Sequence, residues 1–454
     1  MPSSIIGSLR GFSTRRFGGR CGRLAGVVAA LLAVGGGAVE NVWGQMSSLN
    51  AFSPYTMYGI GDMAVGGSAF NRAMGGVGIA GRDPHAFNYR NPASMSVIPR
   101  QSAIFNFAGE GKNIYARDGK TSTSYNTFDI HDLGLAVPLG RGVGLGFSLT
   151  PVSSVGYVSQ MVERNPSITE NIGSAVYHYA GDGGITQVAM SLGVNVTPQF
   201  SLGASLNYWF GDIERQYNAT LTSYLEADTY RSVVSTENQN LSKILFTLGA
   251  QYVFKVGKSN ALCIGATYQP KVTARVKQSR ATLSYGNSSV DTVFVGDSRW
   301  KMHIPGKVGA GIYFQSTRLG VAFDYTRQDW KGAFEIPTGQ DVALGVQQEY
   351  RFGVSYIPNR FDIRHALNRW TYKAGLRYGD SYLKKGGHQL HDAAVSLGVD
   401  FGLKRGTFSR VGVGVEYGER GSWYKNEARE RYFNFFVALS LFGHDYWFHR
   451  PKYN

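Results

Sequence analysis

The chain has 454 residues, a formal net charge of +15 and 59 glycines, nearly twice the usual share of about 7%. Glycine weakens helix interiors, which disfavours a helical bundle, and beyond residue 45 no apolar run reaches the length of about 18 that a membrane helix needs. A membrane β-barrel stays compatible, because its strands alternate between apolar and polar residues. The positive charge suits outer-membrane lipid and lipopolysaccharide as partners, and no motif for binding nucleic acid accompanies it.

The first 44 residues have the form of a secretory signal peptide. Five arginines precede the apolar run "LAGVVAALLAVGGGAV" at 24–39, and cleavage is expected after Gly44. The alternative is an uncleaved anchor helix, for which the apolar run is short. With Cys21 in the signal, Cys263 stands alone in the exported chain, which excludes an intrachain disulfide and a cysteine metal cluster.

Residues 45–100 lack strand alternation and carry Gly, Pro and Asn turn signals throughout. They also hold apolar side chains that favour burial, unlike a disordered polar tail. If the strands that follow close a wide barrel, its lumen needs more than side chains to fill it. We therefore predict that this segment is a hatch in the lumen. Its Asn91-Pro92-Ala93 motif predicts a rigid turn, because proline fixes its own φ and biases the preceding residue toward extended geometry.

From residue 101 to 442 large apolar residues alternate with small or polar ones, the period of a β-strand. In "VAMSLGVNV" at 188–196, valine, methionine and leucine share one face, and alanine, serine, glycine and asparagine share the other. The pattern predicts fourteen strands, with approximate spans 101–109, 127–138, 142–157, 185–197, 199–213, 241–255, 260–272, 304–315, 318–330, 347–358, 369–380, 391–403, 409–418 and 431–442.

Alternation alone fits either a soluble sandwich or a membrane barrel, so strand and loop lengths must decide. Most predicted strands have ten or more residues, and a tilted membrane strand needs about 9–11. Long connections are expected after the odd strands and tight ones after the even strands, as in outer-membrane barrels. We predict an all-β fold: a 14-stranded antiparallel transmembrane β-barrel in the outer membrane, with both termini and a tail at 443–454 in the periplasm. A large soluble β-sandwich is the alternative.

Seven charged residues fall at inward positions of the predicted strands eight to fourteen. Mixed charges that line a lumen can pair with one another or with hatch groups such as Arg72 and Arg90. We interpret them as a lumenal charge network, which is either ordinary pairing of buried charge or a gate that a ligand disturbs. They are Lys307, Asp324, Arg351, Lys373, Arg377, Asp400 and Glu416.

No pattern for catalysis or cofactor binding stands out. The nine histidines are scattered, no Gly-x-Ser-x-Gly elbow occurs, and "GGVGIAG" lacks the Lys-Ser/Thr of a phosphate loop. In "HQLHD", His388 and His391 would point to opposite faces of a strand, which disfavours a metal site. We predict that the protein is not an enzyme and uses no metal and no cofactor.

Five stretches carry a family resemblance: "YGIGDM" (58–63), "FNRAMGGVGIAGRD" (70–83), "NPASMS" (91–96), "IPGKVGAGIYF" (304–314) and "WFHRPKYN" (447–454). In this order and spacing they resemble the FadL-type outer-membrane transport family. They are most similar to its branch in bacteria with type IX secretion, which has PorV-like members. The resemblance implies a fourteen-stranded barrel with an N-terminal hatch, in which Asn91, Pro92 and Ala93 form the hatch motif.

The resemblance also implies transport of hydrophobic small molecules such as long-chain fatty acids. In the family these molecules bind near the outer mouth and pass the hatch or leave sideways through a kink in strand three. Strand three here contains Pro151, which cannot donate to the ladder and is our candidate lateral gate. Alternatively, Pro151 only marks where this strand leaves the membrane. A second function follows from the PorV-like members: a non-transporting barrel partner in a secretion or outer-membrane protein complex.

Overall fold

The computed structural model describes residues 53–118, 121–222, 231–285, 289–335, 341–403, 408–422 and 429–444. The predicted signal at 1–44 and most of the predicted tail lie outside these residues. Fourteen barrel strands are present: β1 Ser102–Asp118, β2 Thr121–Gly140, β3 Val143–Val162, β4 Ser174–Asn195, β5 Phe200–Thr222, β6 Ser232–Val256, β7 Asn260–Gln269 and Val272–Tyr285, β8 Val290–Ile304 and Lys307–Gln315, β9 Leu319–Asp329, β10 Val342–Leu344 and Val346–Tyr356, β11 Thr371–Lys385, β12 His388–Gly402, β13 Arg410–Gly421 and β14 Arg429–His444.

All strands are antiparallel to their neighbours, and the sheet closes on itself. β14 pairs with β1 along the whole of Arg429–His444, in a register that sets Phe436 opposite Glu110. The predicted fold class, a 14-stranded antiparallel barrel, is therefore confirmed. The last strand ends at His444, two residues inside the stretch predicted to be tail, because its ladder with β1 continues to Ser102.

Helices are few and short in the described part of the chain: Pro54–Met57, Ala69–Arg72, Pro92–Val97, Pro166–Ile172 and Leu367–Arg369. None of them is long and apolar enough to cross a membrane.

Large apolar side chains cover the outside of the barrel. On β4, Val188, Met190 and Leu192 are 41%, 44% and 39% exposed, whereas Ala189 and Ser191 between them are buried. The orientation predicted from the alternation is thus confirmed. A closed barrel with an apolar outer surface is the structure that lets strands cross a bilayer with their backbone groups paired.

Several predicted loops are extensions of the strands. β1 runs to residue 118 instead of 109, and β4 begins at 174 instead of 185. The prediction of long loops after odd strands is therefore wrong in part. Beyond the lipid both faces of a hairpin meet water, so the alternation fades while the backbone ladder continues. We call this end of the barrel the hairpin end, and the opposite end, with tight turns such as 141–142, the turn end.

Residues 53–101, which we call the plug segment, lie inside the barrel. They contact inward-facing residues on opposite walls: Arg72 contacts Glu416 on β13 at 3.0 Å, and the Asn91 amide donates to the carbonyl of Ala250 on β6 at 3.2 Å. Asn91 and Ala93 are fully buried. Because the wall is closed around them, such contacts on several sides place the segment in the lumen.

Candidate functional site

The barrel wall contains a seam between β2 and β3. Their ladder runs from the turn end only as far as Leu133 opposite Leu149. Beyond that point β2 stays paired with β1, and β3 stays paired with β4 as far as Val162. In the hairpin half of the barrel, the edge of β3 that faces β2 therefore has no β2 partner among the described residues.

Pro151 lies two residues past the last pair of this ladder. It has no N–H to donate, and the register of β3 against β4 shifts between Pro151 and Ser153. A bulge of this kind bends a strand and leaves one residue unpaired. The family resemblance implied a kink in this strand, for which Pro151 was the candidate residue, and Pro151 lies at the start of the seam.

A part of the plug segment pairs with β3 where β2 does not. The short strand Asp62–Met63, which we call the plug strand, lies antiparallel to β3, with Met63 opposite Ser153. The next plug amide donates to the carbonyl of Val152 at 2.8 Å, and the amide of Ser53 donates to Gly156 at 2.9 Å. The seam is therefore closed by hydrogen bonds from inside the lumen.

Gly61 is required for this close approach. Its φ is +90°, a conformation that residues with a side chain rarely adopt, and a Cβ built on it would lie 2.3 Å from the carbonyl oxygen of Ser154. Any larger residue would push the plug strand away from β3.

Ion pairs and a hydrogen bond hold the plug strand and the residues before it against β13 and β14. Arg420 pairs with Asp62 of the plug strand and donates through Nε to Glu430 at 2.9 Å. The other Glu430 oxygen accepts a hydrogen bond from the Ser53 hydroxyl at 2.5 Å. These contacts fix both ends of the plug stretch 53–62 to wall strands that lie only a few strands from the seam.

A second cluster lies deeper, around Arg72. This guanidinium, 2% exposed, pairs with Glu110 on β1 and with Glu416 on β13. His131 on β2 donates through Nε2 to the plug carbonyl of Gly67 at 2.9 Å. Strands β1 and β13 thus bind the middle of the plug through ion pairs, and β2 binds it through a hydrogen bond.

The hairpin half of the lumen behind the plug strand is apolar. Side chains from the plug and from most of the wall form one buried cluster there, and Tyr58 packs against it. The Tyr382 hydroxyl donates to the Gly61 carbonyl at 2.6 Å, which ties the cluster to the plug strand. Members of the cluster include Tyr55, Ile60, Val155, Tyr157, Ile185, Trp209, Leu245, Met302, Trp330 and Tyr382.

The Asn-Pro-Ala turn anchors the other end of the plug. Asn91 Oδ1 accepts from the amide of Ala93 at 3.1 Å, and Nδ2 donates to the carbonyl of Ile79 at 2.8 Å. The wall opposite this turn consists of glycines: a Cβ on Gly203 would lie 2.3 Å from the Ala93 nitrogen. The motif thus packs directly against the backbone of the barrel wall, and the wall has no room for larger side chains at these glycines.

Three of the seven predicted lumenal charges bind the plug backbone directly. Asp324 accepts from two successive plug amides at 2.7 and 3.0 Å. Arg351 donates to two plug carbonyls at 2.9 and 3.0 Å, and Lys373 donates to a third at 3.0 Å. These side chains replace hydrogen bonds that the irregular plug backbone cannot make within itself.

The other four take different positions. Glu416 binds the Arg72 cluster described above and lies 3.3 Å from Arg377. Asp400 lies 2.5 Å from the ammonium of Lys373. Lys307 forms no ion pair with the described part of the chain. The seven residues are therefore split between contacts with the plug and contacts within the wall.

Sequence reasoning missed Glu110, His131 and Asp132. A bulge between Ala108 and Gly109 of β1 sets two residues of β2 against one, so His131 and Asp132 are both buried although they are neighbours in sequence. Two successive inward residues break the alternation that a period-two search requires. The adjacent His-Asp pair within an apolar stretch was the only available signal.

A family model described as BamG matches residues 38–454. Among solved structures, the chain is similar to the toluene transporter TodX of Pseudomonas putida, with 16% identity, a TM-score of 0.54, and coverage of 87% of this chain and 100% of that chain. It is also similar to the monoaromatic hydrocarbon channel CymD, with 15% identity, a TM-score of 0.52, and coverage of 84% and 98%. The chain is similar as well to a FadL homologue of Pseudomonas aeruginosa, with 15% identity, a TM-score of 0.52, and coverage of 85% of this chain and 99% of that chain.

No protein with a curated description matches the chain. At such low identity the solved structures show the fold alone, and that fold is the FadL-type barrel expected from the short motifs. The branch found in bacteria with type IX secretion stays a prediction. Since the matched family model extends over residues 38–454, almost the whole chain, this protein belongs to the BamG family.

Proposed function

We propose that this protein is an outer-membrane channel for hydrophobic small molecules. The observation that supports it is the position of the seam, which lies beside the apolar cluster and is closed only by the plug strand. In this proposal the hairpin end faces the outside and both termini are periplasmic. A hydrophobic molecule enters from the hairpin end, crosses the apolar lining, and leaves into the membrane when the plug strand separates from β3.

The proposal gives the predicted site residues separate roles. Pro151 acts as the lateral gate, because it ends the β2–β3 ladder. The Asn91–Ala93 turn and the lumenal charges hold the deeper part of the plug in place while residues 53–64 move. Aromatic hydrocarbons, which the names of the similar TodX and CymD channels mention, and long-chain fatty acids are the two cargo classes to test.

A disulfide across the seam tests this route. Because Ala64 donates to Val152, the neighbouring pair Met63 and Ser153 is a non-hydrogen-bonded pair, whose side chains lie closest. We expect the double variant Met63→Cys with Ser153→Cys, in a Cys263→Ser background, to take up labelled toluene and oleate at least about ten-fold more slowly when it is oxidised. The disulfide holds the plug strand on β3, and a ten-fold loss corresponds to about 1.4 kcal/mol. Reduction should restore uptake.

The matched control places a disulfide in the intact wall. Ser191 on β4 and Ser205 on β5 have hydroxyls 3.0 Å apart, so the corresponding cysteine pair should oxidise without affecting the seam. Equal uptake before and after oxidation of the seam pair would refute lateral release. If the reduced protein takes up neither probe, the proposed cargo class itself is wrong.

One observation favours the second candidate function, a non-transporting partner in an outer-membrane complex. Between Val290 and Met302, β8 pairs with β7 alone within the described residues, and Val293, Phe294 and Val295 are 63%, 52% and 69% exposed. An open, apolar strand edge is a template for pairing with another chain. This candidate predicts that the protein is extracted in a larger complex, and that replacing these three residues with serine releases it; extraction as a monomer would contradict it.

A further inference from the structure

The outer face of the β7–β8 hairpin carries four cations, which we call the cation quartet. Arg275 lies directly opposite Lys301, and Lys277 lies directly opposite Arg299. All four side chains are exposed. The residues between them, such as Val276, are buried in the apolar cluster of the lumen, so the quartet faces away from the barrel axis.

The quartet is unfavourable for the isolated protein. Like charges directly opposite each other on neighbouring strands destabilise the pair. None of the four forms an ion pair with a carboxylate in the described ranges of the chain. Asp297, on the same face, lies two residues beyond Arg299, and Asp291 at the hairpin tip pairs with Arg231 at 2.6 Å instead. Two repulsive pairs with no carboxylate of the described residues at ion-pair distance indicate an anion that comes from outside the chain.

The position of the quartet indicates which anion. Ile244, 46% exposed, is the last exposed large apolar side chain of β6 toward the hairpin end. Lys277 lies opposite Asn240, four residues farther along. At about 3.3 Å per residue and a tilt of about 40°, the quartet lies roughly 5–10 Å above the hydrocarbon. Lipid headgroups occupy about the first 5–8 Å of that zone.

We propose that the cation quartet binds the headgroup of an outer-leaflet glycolipid that carries two phosphates. The four charges occupy a patch of about 5 by 7 Å, so each of two phosphates can contact two cations. A lipid with one phosphodiester would neutralise only a quarter of the patch. That the lipid comes from the outer leaflet rests on the proposed function, in which the hairpin end faces the outside. That the four cations bind phosphate does not depend on this orientation.

Native mass spectrometry of the full-length protein in detergent tests the site. The probes are lipid A with two phosphates, phosphatidylglycerol and inorganic phosphate. We expect the wild type to retain lipid A, and the variant Arg275→Gln, Lys277→Gln, Arg299→Gln and Lys301→Gln to lose at least about ten-fold in affinity, a change of about 1.4 kcal/mol. The matched control neutralises four exposed cations at the turn end and should bind like the wild type: Lys255, Lys258, Arg318 and Arg364, each changed to Gln.

Each outcome decides the proposal. Equal binding of lipid A by the wild type and the quartet variant would overturn it, as would inorganic phosphate or phosphatidylglycerol binding as tightly as lipid A. Without lipid, the quartet variant should unfold at a higher temperature than the wild type, because two like-charge contacts are removed. A lower unfolding temperature would show that the cations stabilise the fold itself, and this result would also overturn the proposal. These readouts do not involve transport, so their failure leaves the proposed function untouched.

Discussion

Replacing Arg72 with methionine is expected to destabilise the protein by about 3 kcal/mol and to release the middle of the plug segment. The guanidinium is buried between Glu110 and Glu416, and removing one partner of a buried ion pair leaves charge that is neither solvated nor compensated. The loss should lie at the lower end of the usual range, because Lys112 and Arg377 remain within 3.2 and 3.3 Å of these carboxylates. Urea unfolding in detergent, followed by tryptophan fluorescence, measures the change.

A surface ion pair supplies the control for Arg72. Arg431 donates to Glu419 at 3.2 Å, but its side chain is 59% exposed, so Arg431→Met should cost less than about 1 kcal/mol. Changing Glu110 and Glu416 to glutamine together with Arg72→Met should recover most of the lost stability, since no buried charge then lacks a partner. Equal losses for Arg72→Met and Arg431→Met would show that the buried ion pairs of Arg72 do not stabilise the plug more than a surface ion pair does.

Replacing Gly61 with valine is expected to open the seam between β2 and β3. The substitution combines a left-handed backbone, which costs of order 1–3 kcal/mol for a residue with a side chain, with a clash against the Ser154 carbonyl. The plug strand should therefore leave β3. Hydrogen exchange at the amides of Ser53 and Ala64, which now donate to β3, should become about 100-fold faster, as expected for a loss of about 2.8 kcal/mol in local stability.

Gly257 separates the two causes. It has a φ of +70° but nothing within 4 Å of a built Cβ, so Gly257→Val carries the backbone strain without the clash. Its turn joins β6 and β7 at the turn end, and the amides at the seam should keep their protection. Slow exchange at Ser53 and Ala64 in the Gly61 variant would show that the plug strand tolerates a side chain there, and the seam would then not depend on close backbone contact.

The barrel and much of the site could be predicted from single residues and their spacing. Alternation identified the outward and inward faces, because lipid and lumen impose opposite requirements on successive residues. Asn91 and the inward charges could be found because a proline turn or a charge in a period-two pattern is a local signal. The seam could not be found this way: a plug strand of two residues, Asp62 and Met63, has no pattern of its own, and its pairing with Ser153 crosses about ninety residues of chain.

The way the seam is closed links the beginning of the plug to the integrity of the wall. In the hydrocarbon region an unpaired backbone group costs several kcal/mol, and the free edge of β3 offers a row of them. Residues 53–64 cover that row from inside, as a strand donated by the same chain. A truncation reaching into this stretch would therefore leave a barrel whose defect faces the lipid, and an extended peptide of suitable sequence would compete with the chain's own residues for the vacant place.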